Sequence, residues 1–298
     1  YGQLIREGGF EQSDLINTAQ SLSNEELEAY MDTLLGNNSI RVFAFGNYDK
    51  SDLTEAAERV KASLPNDRNI TDFKTAKFWK PQSNKAVVLR KDLDVADVAV
   101  VDAHIHPEPG FKAQAAGTVL QSHFRTAAFD TLRTEEQLAY AVGAFAPSLD
   151  HYAGFGLYIQ TPVKSVADMQ ARFDKFKDEY WTQLEKMTED EFAQLKQSAL
   201  VTLKETPKNM REEVAPILSD LALERYDFDS KEQLIKAVEN TTLADAKAFY
   251  QDTLMNPDSA RISVQLRGTK FADEPYADLP NQTVVEDLAE FHQTMETQ

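Results

Sequence analysis

Apolar residues recur at intervals of three and four along much of this chain, which predicts helices as its main elements. The clearest pattern runs from Phe111 to Leu132 and predicts a helix of about 20 residues. Residues 10 to 35 carry the same period. Further helical patterns begin near Val166, Phe192, Met210, Ser230 and Leu243.

Shorter apolar runs alternate with the helical patterns and predict strands at 86–90, 95–101, 141–146 and 153–160. In the last run, Phe155, Leu157 and Ile159 face one way. Gly154 and Gly156 leave the other face bare, which would allow another backbone to approach closely. The fold class predicted is α+β, with helices packed on one face of a mixed, mostly antiparallel sheet.

An internal repeat predicts two homologous domains. Residues 21–41 align without a gap on residues 241–261, an offset of 220 residues. The matching pairs are Tyr30/Tyr250, Asp32/Asp252, Thr33/Thr253, Leu34/Leu254, Ser39/Ser259 and Arg41/Arg261. Each copy is predicted to run from a helix through a polar turn into a strand, at Arg41 to Gly46 and from Arg261. Residues 1–72 would then be the C-terminal part of a preceding domain, and residues 73–298 a complete C-terminal domain.

The net charge and the absence of cysteine argue against several kinds of partner and site. The 298 residues include 49 acidic and 31 basic side chains, a net charge of -18, which argues against binding to nucleic acid or to an anionic membrane. No apolar run is long enough to span a bilayer. Cysteine is absent, which excludes disulfides, thiolate zinc sites and cysteine nucleophiles. We therefore expect neither nucleic acid nor membrane as a partner.

The stretch from Thr131 to Val142, T-L-R-T-E-E-Q-L-A-Y-A-V, places Arg133 and Tyr140 seven residues apart. Thr134 followed by Gln137 predicts a capping box and a short helical turn, with a strand beginning near Leu138. By pattern alone, structural roles are favoured, because an arginine near a helix end usually satisfies carbonyl groups and a tyrosine at a strand start is usually packed.

The same stretch resembles a signature of the C-terminal half of the large zinc metallopeptidases typified by pitrilysin and insulysin. This chain has Ala139 where that family usually has glycine. The resemblance implies that Arg133 and Tyr140 are substrate-binding residues, which reach across an enclosed chamber towards a zinc site in the other half. It also implies an enzyme built from four homologous α+β units, with this chain supplying part of the third and all of the fourth.

The zinc motif of that family is not in this chain, since neither H-x-x-E-H nor H-E-x-x-H occurs. No metal ligand or catalytic residue is therefore assigned here, and the resemblance implies that the zinc belongs to an N-terminal half. His104, His106 and Glu108 would share one face if their segment were extended, as an adventitious metal site requires. A surface loop before Pro107 is favoured instead, because nothing supplies a second shell of ligands.

By resemblance, the chain is expected to be the C-terminal half of a zinc metalloendopeptidase that closes the substrate chamber. Its partners would be the zinc-bearing N-terminal half and peptide substrates, and the chain alone would be inactive. The alternative is a non-catalytic binding or assembly subunit of the same fold. The residues do not fix the cellular compartment, although the resemblance suggests a periplasmic or otherwise exported protein.

Overall fold

A six-stranded sheet forms the centre of the computed structural model, which describes residues 1–36, 41–64, 77–147 and 149–297. Its strands are Ala86–Leu93 (β1), Val98–Ile105 (β2), Ala141–Phe145 (β3), Gly154–Thr161 (β4), Ala260–Gly268 (β5) and Gln282–Val285 (β6). They lie in the order β3-β4-β2-β5-β1-β6. β1 pairs in parallel with β5 and β6, and the other pairings are antiparallel, so the predicted mixed, mostly antiparallel sheet is confirmed.

Among the described residues, four helices precede the sheet in sequence: Gly2–Ile5 (α1), Gln12–Ser21 (α2), Asn24–Gly36 (α3) and Lys50–Ala62 (α4). The others are Phe111–Phe129 (α5), Val166–Lys186 (α6), Glu189–Leu203 (α7), Met210–Ala222 (α8), Ser230–Asn240 (α9), Leu243–Tyr250 (α10) and Leu288–Thr294 (α11). π-Helical turns, Asp130–Glu135 and Gln251–Met255, extend α5 and α10, and a 3-10 turn, Thr269–Phe271, follows β5. No helix among the described residues is both long and apolar enough to cross a membrane.

The main core lies between one face of the sheet and the long helices α5, α6, α7, α9 and α10. The ring of Phe124 stacks on Phe155 at 4.7 Å between centroids and meets Tyr180 edge-on at 4.9 Å. All three rings are fully buried. The period of three and four predicted this for Phe124 in α5 and Tyr180 in α6. On the opposite face, the short helices α1 and α11 bury Leu4 and Leu288 in a second, smaller core.

The glycine-bearing face of β4 is covered by aromatic rings of the same sheet. Antiparallel pairing places Phe145 opposite Gly156 and Tyr158 opposite Gly143. A Cβ added at Gly156 would lie 2.4 Å from the Phe145 ring, so any larger residue there would force that ring to move. At Gly156 the close approach is therefore made by a neighbouring side chain. At Gly154 it is made by a backbone, as predicted, because a Cβ there would lie 2.2 Å from the carbonyl oxygen of His104 on the paired strand β2.

The strand predicted at Arg41 to Gly46 is wrong. Residues 41–45 have no regular structure, because no described strand lies beside them to accept their backbone hydrogen bonds. Helix α3 does correspond to α10, but only the second copy continues into a strand, β5. One matching pair, Ser39/Ser259, lies partly outside the described residues. The duplication stays a prediction supported by the helices alone.

Helix α3, near the start of the chain, carries apolar side chains that are exposed. Leu27, Tyr30, Met31 and Leu34, predicted as one face of a helix, are all exposed on α3. Helices α2 and α4 contain no buried residue either. The boundary predicted at residue 72 lies outside the described residues, so the division into two domains stays a prediction.

Candidate functional site

A π-helical turn creates the candidate site at the end of α5. Residues Asp130–Glu135 continue the helix with a wider turn, so Arg133 projects from the last turn before the chain leaves the helix. The capping box predicted for Thr134 and Gln137 is wrong, because a helix ends here and does not begin. The following strand starts at Ala141, three residues later than the predicted start near Leu138. π-Turns of this kind are frequent at functional sites.

Arg133 and Tyr140 are brought into contact by this turn. The guanidinium carbon of Arg133 lies 4.9 Å from the centroid of the Tyr140 ring and 4.7 Å from that of Phe129. Phe129 precedes Arg133 by four residues, the spacing at which side chains meet on a helix. Sequence reasoning missed Phe129, although this spacing could have identified it as a neighbour of Arg133.

The hydrogen-bonding groups of the pair are available to a ligand. Tyr140 is 87 % exposed, and neither its hydroxyl nor the Arg133 guanidinium bonds to any residue that the structure describes. Stacking occupies the flat faces of a guanidinium and leaves the N–H groups at its edge free to donate. The structural roles favoured by pattern alone, carbonyl capping by Arg133 and packing by Tyr140, are therefore not what these side chains do.

The backbone that carries the pair is anchored by buried leucines on both sides. Leu132 and Leu138 are buried, and the Leu138 N–H donates to the Leu132 carbonyl at 3.1 Å. The Thr161 hydroxyl, on β4, donates to the Leu138 carbonyl at 2.5 Å. Ala139 does not have a positive φ angle, so its methyl group fits where relatives of this signature have glycine. Arg133 and Tyr140 thus project from a fixed support.

Gln137 lies between these anchors with a φ angle of +53°, in the left-handed region that costs a side chain free energy. We expect Gln137→Val to lower the free energy of unfolding by about 1–2 kcal/mol, because a β-branched residue tolerates this conformation least. Gln137→Gly should be about neutral, since relief of strain offsets the greater freedom of glycine in the unfolded chain. Urea unfolding of both variants checks this. Equal destabilisation by Val and Gly would contradict it.

His104 and His106 are buried and serve different partners, so the surface loop predicted for them is wrong. His104 lies in β2, with Nδ1 3.0 Å from Ser259 Oγ and Nε2 2.9 Å from Lys177 Nζ. Burial and the Lys177 ammonium lower the pKa of His104 to about 4, which keeps the imidazole neutral. His106 stacks on Phe249 and accepts from the backbone N–H of Glu108 at 3.1 Å. Residues 104–108 therefore do not present their side chains to one metal ion.

A buried ionic cluster around Asp102 was not predicted. Its carboxylate accepts from Arg261 Nε at 2.6 Å and Nη2 at 2.9 Å, and lies 3.3 Å from Lys177 Nζ. Burial alone would raise the pKa of Asp102, but Arg261, Lys177 and His104 together hold it well below its usual range. A single acidic residue within the apolar run of β2 was the available signal. Its partners lie 75 and 159 residues away and left no local pattern.

The cluster borders a cavity of about 290 Å³, whose walls include His104, Lys177, Arg261 and Asp174. Asp174 bonds to Lys177 at 2.7 Å and to Arg261 at 3.1 Å, so acids and bases balance around the cavity. Among the residues that the structure describes, no group of three or more His, Cys, Asp or Glu is placed to hold a metal ion. Because Asp102 is buried and its ion pairs join β2 to α6 and β5, the cluster links the sheet to a core helix.

Comparisons with known proteins show relatives of this chain in sequence and in fold. Residues 119–217, which include the candidate site, match the family model "PQQ synthase PqqF-like, C-terminal lobe domain 4". Protease 3 of Escherichia coli K12 is 25% identical over 283 residues, 92% of this chain and 28% of that protein. The crystal structure of pitrilysin superposes with a TM-score of 0.84 at 24% identity, covering 97% of this chain and 31% of pitrilysin.

A shorter relative in fold is the "peptidase M16 inactive domain" from Pseudomonas fluorescens, with a TM-score of 0.52, 15% identity and coverage of 87% of this chain and 60% of that one. This chain spans less than a third of the length of Protease 3 or pitrilysin. The match to Protease 3 is one of sequence over most of this chain, and the family model places the matched residues in a C-terminal lobe. In sequence and in fold, the chain is related to the C-terminal half of pitrilysin-family metallopeptidases, the family that residues 131–142 resemble.

Proposed function

We propose that this chain is the C-terminal half of a two-halved zinc metalloendopeptidase, in which it closes the substrate chamber and contacts the peptide being cleaved. The observation that carries the proposal is the pair of Arg133 and Tyr140. The two side chains touch, their donors are not bonded to any described residue, and they project from an anchored turn. An exposed tyrosine and a half-buried arginine held in this way are suited to binding an external acceptor.

The acceptor in this proposal is the carbonyl oxygen of the scissile peptide bond. As the carbonyl carbon becomes tetrahedral, negative charge develops on that oxygen, and a guanidinium N–H and a phenolic O–H aimed at it stabilise the charge. Because Leu132 and Leu138 fix the support, these donors need little reorganisation when charge develops. Arg133 also adds a full positive charge to the transition-state interaction.

Zinc is assigned to the other half in this proposal. The described residues offer no group of His, Cys, Asp or Glu that fits a metal ion, so the chemistry assigned to this chain is confined to its own hydrogen-bond donors. The exposed apolar side chains of α3 also support a partner, since Leu27, Tyr30 and Met31 fit burial against the rest of a preceding domain.

A complementation experiment tests the proposal. The 298-residue chain alone should fold, contain no stoichiometric zinc by elemental analysis, and leave a fluorogenic peptide uncleaved. Adding a separately produced zinc-bearing half should restore part of the activity, with recovery rising with concentration because no linker holds the halves together. The matched control is the same mixture with Arg133→Met in this chain, which should recover much less. Cleavage by the chain alone, abolished by a chelator, would overturn the proposal.

The alternative is a non-catalytic subunit, and the fold likeness to a domain described as inactive is the observation that favours it. The two functions differ in what the gene encodes before Tyr1. Several hundred upstream codons that include H-x-x-E-H would support the peptidase. A start codon immediately before Tyr1, together with no activity in any mixture, would support the subunit.

A further inference from the structure

An ion pair ties the loop of the candidate site to α6. Arg172 of α6, whose side chain is only 10% exposed, donates from Nε to both carboxylate oxygens of Glu136, at 3.0 and 2.9 Å. Its Nη2 also donates to Glu136 and, at 2.9 Å, to Glu179 on α6 itself. The guanidinium thus joins a residue of the loop to the middle of a long core helix.

The position of Glu136 in the chain gives this ion pair its significance. Glu136 follows Arg133 by three residues and precedes Tyr140 by four, at the point where the π-turn ends. The next residue, Gln137, has the left-handed backbone described above, and a strained residue persists only where its surroundings determine its conformation. The leucine anchors hold the two ends of this segment, and the ion pair holds its middle.

We propose that Glu136 and Arg172 form a positioning clamp, which fixes the turn so that Arg133 and Tyr140 keep the separation needed to bind one substrate carbonyl. Neither Glu136 nor Arg172 touches the substrate in this role. Both act through the backbone between the two donors. The effect on catalysis rests on the proposed function, whereas the ordering of residues 136–141 does not.

The clamp has the geometry that makes an ion pair effective. Exposed ion pairs contribute little to stability. A bidentate contact made by a largely buried arginine fixes both the distance and the orientation of the carboxylate. The hydrogen bonds from Arg172 hold the pKa of Glu136 below its usual range, and Glu136 in turn raises the pKa of Arg172. Both groups therefore remain charged at neutral pH.

The first arm of the test measures the ordering of the loop in the 298-residue chain by hydrogen exchange and mass spectrometry. We expect Arg172→Met to make the amides of residues 136–141 exchange about tenfold faster, because the loop opens more often. Arg172→Lys should give a smaller increase, since an ammonium group makes one contact where the guanidinium makes several. Glu179→Gln is the matched control. It removes the other carboxylate on Arg172, keeps the clamp, and should leave exchange at 136–141 unchanged.

The second arm measures catalysis in the full-length enzyme. Arg172→Met should lower kcat/KM by about tenfold, with the loss mainly in kcat. A displacement of the donors by a fraction of an ångström weakens their stabilisation of the transition state more than it weakens substrate binding. Arg172→Lys should recover part of this loss. Combined with Tyr140→Phe, Arg172→Met should cost less than the product of the two single effects, because both changes remove the same interaction.

The outcomes separate the clamp from the proposed function. Unchanged exchange at 136–141 in Arg172→Met would overturn the clamp whatever the activity. Faster exchange with an impaired Tyr140→Phe enzyme but a fully active Arg172→Met enzyme would overturn its positioning role. Faster exchange with full activity in both variants would support the clamp's ordering of the loop and contradict the proposed role of Tyr140.

Discussion

Tyr140→Phe in the full-length enzyme is expected to lower kcat/KM by about tenfold or more, because one hydrogen-bond donor to the developing oxyanion is lost. Arg133→Met should have a larger effect of roughly 100-fold, since it removes a charge as well as its donors. Neither change should alter the fold, because both side chains lie outside the buried core. Steady-state kinetics with a quenched fluorescent peptide measures both effects.

Tyr226→Phe is the matched control for this prediction. Tyr226 is also an exposed tyrosine next to an arginine, with Arg41 lying 5.9 Å from its ring centroid, but it lies in the connection between α8 and α9, outside the candidate site. This variant should keep full activity. Full activity in Tyr140→Phe as well would remove the transition-state role from Tyr140, and a loss confined to KM would reassign it to substrate binding alone.

The sequence predicted those parts of the fold that depend on local patterns. The period of three and four from Phe111 to Leu132 became α5 and its π-turn, and the helical pattern that begins near Val166 became α6. Strands β1, β3 and β4 also fall within a few residues of the apolar runs that predicted them. In each case the signal and its cause lie within one or two turns of the same segment.

The predictions that were wrong concern structure that depends on residues distant in sequence. A strand at Arg41 to Gly46 needs a neighbouring strand, which no apolar pattern within those residues can supply. His104 was expected in a surface loop, yet it is buried because Lys177 and Ser259, 73 and 155 residues away, satisfy its nitrogens. The π-turn adds one residue to a helical turn, but it lies at the end of α5, so no later helical turn shows the shifted period and the π-turn too was invisible in the sequence.

At the candidate site, too, the sequence predicted some features and the folded chain shows the others. Arg133 and Tyr140 were identified by resemblance, but seven residues along one helix would separate them by about 10 Å. Their contact arises because the helix widens and ends between them and the chain then turns through Gln137. The ion pair of Glu136 with Arg172 joins residues 36 apart in sequence and could be seen only in the folded chain.

Asp102→Asn is expected to have the largest effect on stability, lowering the free energy of unfolding by about 3–5 kcal/mol at pH 7. The Asp102 side chain is fully buried, and its removal would leave Lys177 and Arg261 with only the partly exposed Asp174 as a shared acidic partner. A buried charge without a partner cannot recover its lost hydration, so breaking such a cluster costs much more than breaking a surface pair. Urea unfolding followed by circular dichroism measures the difference.

Asp92→Asn is the matched control, because Asp92 also receives two hydrogen bonds from one arginine, Arg267 Nε at 2.7 Å and Nη2 at 3.0 Å. Its side chain is 67% exposed, so water can replace the lost contact and the variant should unfold close to the wild type. An Asp102→Asn protein that is as stable as Asp92→Asn would show that the cluster contributes no more than a surface pair.

Lowering the pH should reduce the difference in free energy of unfolding between the wild type and Asp102→Asn. Because the pKa of Asp102 is lower in the folded chain than in the unfolded chain, its ionised form stabilises the fold fully above the pKa of an ordinary aspartate, near 4. This contribution is lost as the pH falls through the depressed folded value, whereas an asparagine cannot titrate. The free energies of unfolding of the wild type and Asp102→Asn, measured from pH 7 to pH 3, should therefore begin to converge below about pH 4. A difference in free energy of unfolding that stays constant from pH 7 to pH 3 would indicate that the carboxylate charge of Asp102 is not what stabilises the core.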